Sequence, residues 1–93
     1  MDNYDKEVAR QIKQSNADAI EIINKALSRY GNPGDPKLPE VRPVNGDCAN
    51  GVYLVGGKYG VVDAVIGDLH VKSWQHCRFD NPPYTIIYPP FKD

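Results

Sequence analysis

The spacing of apolar residues changes once along this chain, and that change restricts the fold more than any other feature. Over residues 2–30 apolar side chains recur at intervals of three and four, which is the period of an amphipathic helix. From Val52 onward the chain is rich in β-branched and aromatic residues, which favour strands. The pattern predicts an α+β fold in which an N-terminal helical arm packs on one face of a small antiparallel sheet. The apolar positions of the arm are Val8, Ile12, Ala19, Ile20, Ile23, Ala26, Leu27 and Tyr30.

The helical arm has recognisable start and stop signals. Asp2 is suited to cap its first turn, and Gly31 followed by Pro33 is a typical helix end. The Ser15-Asn16-Ala17-Asp18 segment resembles a second capping box. The sequence therefore leaves two alternatives open, one helix with a weak middle or two helices that meet there.

Residues 31–51 form a Pro/Gly-rich connector without apolar periodicity. Prolines at 33, 36, 39 and 43 alternate with glycines and polar residues. Long segments of this kind in a small domain are either functional loops or solvated linkers. The expectation is an extended connector between the helical arm and the sheet, with both roles open.

Residues 52–93 are predicted to form a three- to four-stranded antiparallel meander. Gly56-Gly57 and Gly67-Asp68 are interpreted as two-residue hairpin turns between strands. Prolines on both sides of the last strand place it at a sheet edge, because proline donates no ladder hydrogen bond. The predicted strands are Val52–Val55, Tyr59–Ile66, Leu69–Gln75 and Tyr84–Tyr88.

The predicted Gly67-Asp68 turn assigns residues to the two faces of this sheet. It pairs Asp63 with Lys72 across adjacent strands, an opposite-charge pair that supports the register. The helical arm can cover only one face, so the second face needs another cover. That cover is either the C-terminal segment folding back or a binding partner. The predicted interface on this face comprises Trp74, Tyr59, Val61, Leu54, Val65 and His70.

Composition excludes several classes of function. The 93 residues carry 11 basic and 12 acidic side chains, so no basic stripe is available for nucleic acid. No run approaches the ~18 apolar residues of a membrane-spanning helix. The polar, acidic start of the chain is unlike a secretory signal, which predicts a cytoplasmic protein. In that compartment Cys48 and Cys77 are expected as reduced thiols.

The residues with metal-ligand or nucleophile chemistry form no specific motif. No C-x-x-C or H-x-x-x-H pair is present, so neither a metal site nor a cofactor is predicted. A cysteine–histidine nucleophile pair is the one catalytic alternative that residue type leaves open. The sequence favours a protein that is not an enzyme. The residues concerned are Cys48, His70, His76, Cys77 and Asp80.

The leading hypothesis is a non-catalytic binding protein that docks on a larger protein and inhibits or modulates it. Small bacterial or phage accessory proteins of the immunity or anti-defence type have this profile. A protein partner or a homodimer is expected, and Tyr53, Tyr59 and Tyr84 are further contact candidates. The alternative is a small-molecule sensor or sequestering protein, with a nucleotide-like ligand held between the sheet and the Pro-rich loop or between two subunits. Its stacking residues are Tyr59 and Trp74, and its charged residues are Arg42, Lys58, Lys72 and Arg78.

Overall fold

The described part of the chain forms two helices and one four-stranded sheet. The computed structural model describes residues 2–44 and 51–91, and describes their side chains except those of residues 2–5, 9 and 12. Cys48, for which a reduced thiol is expected, lies outside the described residues. The elements in chain order are α1 (Asp2–Leu27), β1 (Glu40–Pro43), β2 (Val52–Val55), α2 (Tyr59–Asp68), β3 (Ser73–Cys77) and β4 (Tyr84–Tyr88).

Helix α1 is a single helix of 26 residues, so the Ser15–Asp18 segment does not interrupt it. Its second half presents a stripe of buried residues at spacings of three and four to the rest of the domain. The helix ends at Leu27, and a turn through residue 30 follows. The buried stripe is Asn16, Ala19, Ile23, Ala26 and Leu27.

The four strands form one antiparallel sheet in the order β1-β2-β4-β3. The α+β class is confirmed, but the strand order differs from the expected meander because β4 inserts between β2 and β3. The prediction that Tyr84–Tyr88 is an edge strand is therefore wrong. The flanking prolines lie outside the strand, so all five residues of β4 keep their N–H groups for the two ladders. Pro83 even contributes its carbonyl, which accepts a hydrogen bond from the Gly56 N–H at 2.8 Å.

The segment expected to be the second strand is helix α2 instead. Val62, Val65, Ile66 and Leu69 are buried at helical spacing, so one face of a helix satisfies them all. The predicted Gly67-Asp68 hairpin is wrong, since these residues end α2. The predicted cross-strand pairing of Asp63 with Lys72 is therefore also wrong, since Asp63 lies in α2.

Two further corrections concern strand boundaries. The segment Leu69–Gln75 becomes a strand only at Ser73, and β3 then continues to Cys77. The predicted connector contains β1, an edge strand whose register pairs Val41 with Leu54. Prolines at a strand end are compatible with an edge position.

A single hydrophobic core lies between the two helices and one face of the sheet. The sheet contributes Val52, Leu54 and Ile87, each fully buried. Because strand side chains alternate, their neighbours Tyr53 and Ile86 point to the opposite face. The fold therefore buries one face of the sheet and leaves the other without a helix. The helical part of the core is Ala19, Ile23, Ala26, Leu27, Val62, Val65, Ile66 and Leu69.

Candidate functional site

The sheet face that carries no helix is the main candidate surface, and we call it the open face. The register pairs Tyr53 with Ile86 and Val55 with Tyr84, so these side chains share that face. All four are partly exposed. Gln75 and Cys77 of β3 continue the face on one side, and the charged residues of β1 continue it on the other. Aromatic and aliphatic side chains thus occupy its centre and polar ones its margins.

A groove crosses the open face beside a pair of perpendicular tyrosines. The rings of Tyr53 and Tyr84 lie 5.3 Å apart between centroids, at an interplanar angle of 90°. This edge-to-face arrangement is a favourable aromatic contact. The groove has a volume of about 520 Å³, and Val55, Asp80 and Pro82 also line it. Its size is within the range of small-molecule and peptide sites.

The charged margin of the groove is an ion pair on β1. The Arg42 guanidinium donates to the Glu40 carboxylate at 2.6 Å. This hydrogen bond lowers the pKa of Glu40 and raises the pKa of Arg42. Both side chains remain more than half exposed. The guanidinium therefore stays charged next to the tyrosines and keeps donors for an anionic group.

Tyr84 is held in its protonated form. Hydrogen bonds raise the pKa of Tyr84 well above its ordinary value, and the bond with Cys77 has a larger effect than the bond with Asp80. The hydroxyl therefore serves as a neutral donor or acceptor on the open face. The same contacts hold the Tyr84 ring beside the loop that joins β3 and β4.

That loop carries the most exposed apolar residue of the described chain. Phe79 has a relative exposure of 104%, so its ring packs against nothing in the domain. A wholly exposed phenylalanine is unusual in a small domain and marks a contact site when other apolar residues lie nearby. The groove residues Asp80 and Pro82 follow it directly in the loop.

On the opposite face, β3 and α2 are joined by a cluster around His76. The His76 Nδ1 lies 2.7 Å from Thr85 Oγ1, and Nε2 lies 3.3 Å from Asp63 Oδ1. The Tyr59 ring packs edge-on against the imidazole, with 5.6 Å between the two ring centroids. The Arg78 guanidinium carbon lies 5.0 Å from the centroid of the Tyr59 ring. The cluster fastens the start of α2 to the edge of the sheet.

The order hydroxyl–imidazole–carboxylate in this cluster resembles a catalytic triad, but the geometry favours a structural role. Thr85 is only 2% exposed, so its hydroxyl is closed to a substrate. A nucleophile needs access to the reacting carbon as well as a neighbouring base. His76 and Cys77 point to opposite faces of β3, as the strand alternation predicts, so they form no thiol–imidazole pair.

The six interface residues predicted from sequence do not form one surface. Leu54 and Val65 are fully buried in the core. Tyr59 and Val61 are partly buried on α2, and the Tyr59 hydroxyl makes no hydrogen bond within the described chain. The structure places two of the predicted residues where a partner can reach them, and these lie in different positions.

Those two accessible residues are Trp74 and His70. Trp74 is 47% exposed on β3, and its pairing with Ile87 places it on the helix-bearing side of the sheet. His70 is exposed in the link from α2 to β3, where its φ of 53° is left-handed. Neither belongs to the open face.

The open face was accessible to sequence reasoning in part. Tyr53 and Tyr84 are contact candidates in the sequence, but Val55, Ile86 and Phe79 are not. The signal that identifies them is the alternation within β2 and β4 once these two strands are paired with each other. The sequence-based register pairs β2 with residues of α2 instead, and it therefore assigns the exposed side chains to the wrong face.

No family model, curated protein or solved structure matches the chain. Within the described part, no three His, Cys, Asp or Glu side chains come together as a metal site would require. None of the helices described is both long and apolar enough to cross a membrane.

Proposed function

We propose that this chain is a non-catalytic binding protein that docks on a larger protein through its open face and modulates or inhibits it. The observation that carries the proposal is the one-sided cover of the sheet. Both helices pack on the face of Val52, Leu54 and Ile87, which leaves tyrosine, valine and isoleucine side chains on the other. Aromatic residues at the centre and charges at the margin are the usual composition of a protein interface.

Phe79 supports the same proposal. An exposed phenylalanine that becomes buried on binding contributes about 1.5–3 kcal/mol, which is about 10- to 100-fold in affinity. The same loop supplies Asp80 and Pro82 to the groove, so Phe79 lies next in the chain to a residue that lines it. An anchor beside a groove is the arrangement of many interface hot spots.

The proposal is tested by crosslinking followed by reconstitution. A photo-crosslinking amino acid replaces Phe79 in one variant and Lys13, exposed on α1, in a matched control. Proteins captured only by the Phe79 variant are identified, purified and titrated against the wild-type chain by calorimetry. We expect Phe79→Ala to weaken binding about tenfold or more and Tyr53→Ala to weaken it about threefold or more, whereas Glu21→Ala leaves it unchanged.

Two results contradict the proposal. One is a reconstituted complex whose affinity is the same with Phe79→Ala and Tyr53→Ala as with the wild-type chain. The other is capture of the same proteins by the Lys13 control. Phe79 packs against nothing in the domain, so its alanine variant is expected to melt like the wild-type chain. Melting curves show whether Tyr53→Ala, which removes a ring contact, remains folded.

A second candidate function rests on the groove itself. Its volume of about 520 Å³ suits a drug-sized molecule, and it offers two tyrosine rings with Arg42 at the margin. A planar anionic ligand such as a nucleotide fits that chemistry. Thermal shift measurements with a nucleotide panel test it: stabilisation that Arg42→Gln abolishes favours the sensor, and no shift with any nucleotide argues against it.

A further inference from the structure

Among the described residues, strand β3 lies at one end of the sheet and pairs with β4 alone. The direction of the β3 backbone groups follows from the β4 ladder. Pro83, the residue before β4, turns its carbonyl toward β2, where it accepts a hydrogen bond from the Gly56 N–H. Backbone groups alternate along a strand, so Thr85 also faces β2, and its partner on β3 faces away from the sheet. The β3 residues turned outward are therefore Trp74 and His76. Within residues 2–44 and 51–91, the N–H and C=O groups of these two residues have no backbone partner.

The two edges of the sheet differ in their protection. The β1 edge has Pro39 before it, Pro43 within it, and the charges of Glu40 and Arg42. Prolines and charges are the usual devices against strand addition. The β3 sequence, Ser-Trp-Gln-His-Cys, contains no proline, no glycine and no residue with a permanent charge. Of the two edges that the described residues form, the β3 edge therefore has less protection against strand addition.

A cavity lies beside the C-terminal half of β3. Its volume is about 310 Å³, and its lining includes His76, Cys77, Arg78 and Phe79. In strand addition, main-chain hydrogen bonds supply affinity and pockets for alternate side chains supply specificity. The edge therefore has both parts of such a site, with Trp74 half exposed near its other end.

We propose that the β3 edge binds an extended segment of a protein partner, about seven residues long, with a carboxylate near each end. The proposal rests on the proposed function in that it takes the partner to be a protein. Lys72 and Arg78 flank β3, so both ends of the edge are basic. Opposite charges across paired strands are stabilising and like charges are destabilising.

The same charges favour such a segment over a second copy of the chain. In the register that pairs all five residues of β3 with another β3, Gln75 lies on the two-fold axis. Lys72 of each copy then faces Arg78 of the other, which places two like-charged pairs at the ends of the interface. An acid-flanked strand replaces both repulsions by attractions.

The test uses two synthetic peptides of identical core, Glu-Thr-Val-Thr-Val-Thr-Glu and Lys-Thr-Val-Thr-Val-Thr-Lys, titrated by NMR into the labelled protein at low salt. We expect the acid-flanked peptide to bind at least about fivefold tighter, with the largest amide shifts at Trp74 and His76. Equal affinities, or shifts centred on β1 or the open face, overturn the proposal.

Two variants separate the backbone edge from the side chains. Trp74→Val keeps the outward N–H, whereas Trp74→Pro removes it without loss of a ladder bond, so melting curves should show both variants folded. We expect the proline variant to bind the acid-flanked peptide about five- to tenfold more weakly than the valine variant. Lys72→Glu should reduce the preference for acidic ends. Equal binding by the proline and valine variants overturns the proposal.

Sedimentation and an open-face variant complete the experiment. Dimerisation that Trp74→Pro abolishes, together with no peptide binding, assigns the edge to a second copy and overturns the proposal. Tyr53→Ala should leave peptide binding unchanged, because Tyr53 lies on β2. Failure of the peptide experiment alongside a partner whose binding Tyr53→Ala weakens refutes only the edge site. Peptide binding at the edge, together with a reconstituted complex whose affinity Phe79→Ala and Tyr53→Ala leave unchanged, keeps the edge site intact and refutes the open-face function.

Discussion

Gly57 should be among the residues least tolerant of substitution, because two separate effects oppose a side chain there. Its φ is 75°, a left-handed conformation that costs a non-glycine residue about 1–2 kcal/mol. A Cβ at this position would also lie 2.6 Å from the nitrogen of Pro39 and 3.0 Å from the carbonyl carbon of Leu38. Both are backbone atoms, so the chain itself would have to move, at a cost of about 1–3 kcal/mol. Gly57→Ala should therefore destabilise the fold by about 2–5 kcal/mol.

Gly56 supplies the matched control for this prediction. Its φ is 71°, but a Cβ there would meet nothing within 4 Å, so Gly56→Ala should cost only the conformational 1–2 kcal/mol or so. In thermal unfolding followed by circular dichroism, Gly57→Ala should melt about 5–15 °C below Gly56→Ala. Equal melting temperatures would refute the close approach to Pro39, and with it the path of the chain from β2 into α2.

Two further predictions concern the core and the open face. Leu54→Ala should lower the free energy of unfolding by about 2–5 kcal/mol, because Leu54 is fully buried. Ile86→Ala on the open face should lower it by less. Equal losses in urea titrations would contradict the assignment of faces. Alkaline titration followed by phenolate absorbance should show Tyr84 and Tyr30 ionising above the ordinary pKa of tyrosine. Hydrogen bonds raise the pKa of each, and the partner of Tyr30 is Asp68. Their contribution to stability is complete below the unfolded pKa of about 10 and is lost as pH rises through the folded pKa. Tyr84→Phe should therefore lessen the loss of stability above about pH 10, and a variant as alkali-sensitive as the wild-type chain would argue against the Tyr84 hydrogen bonds.

The elements predicted correctly from sequence are those whose local pattern agrees with their tertiary environment. Helix α1 repeats its apolar spacing over several turns, which is a strong signal. Strands β2 and β4 are short runs of β-branched and aromatic residues bounded by glycine or proline. Their bounds, Val52–Val55 and Tyr84–Tyr88, agree with the structure.

Helix α2 could not be assigned reliably because its two signals conflict. The run Val61-Val62-Asp63-Ala64-Val65-Ile66 is rich in β-branched residues, which favour a strand. The spacing of its buried positions is helical, but a short apolar run fits either period. Tertiary packing decided the outcome, since a helix here buries Val62, Val65 and Ile66 together against the core. Strand β1 was missed for a related reason, because prolines at its ends mask an edge strand.

The errors in the predicted site follow from these errors in secondary structure. If residues 59–66 form a strand, Leu54 and Val65 lie on the uncovered face of the predicted sheet. The structure buries both. Side-chain period in a sheet is two residues, so an error in pairing exchanges the faces completely. Tyr53 is next to Leu54 in β2, so its side chain always lies on the face opposite to that of Leu54. Placing Leu54 on the uncovered face therefore places Tyr53 beneath the helix, whereas the structure has the reverse.

Trp74 illustrates how a surface residue can be identified on an incorrect register. Its pairing with Ile87 turns it toward the helices, and full burial would be expected if a helix crossed β3. Helix α1 packs against β1, β2 and α2, so the edge strand extends beyond its cover and Trp74 stays half exposed. A strand added to β3 would lie alongside this indole and would also widen the open face beyond Gln75. The two proposed surfaces would then become one, with the Phe79 loop at their common end.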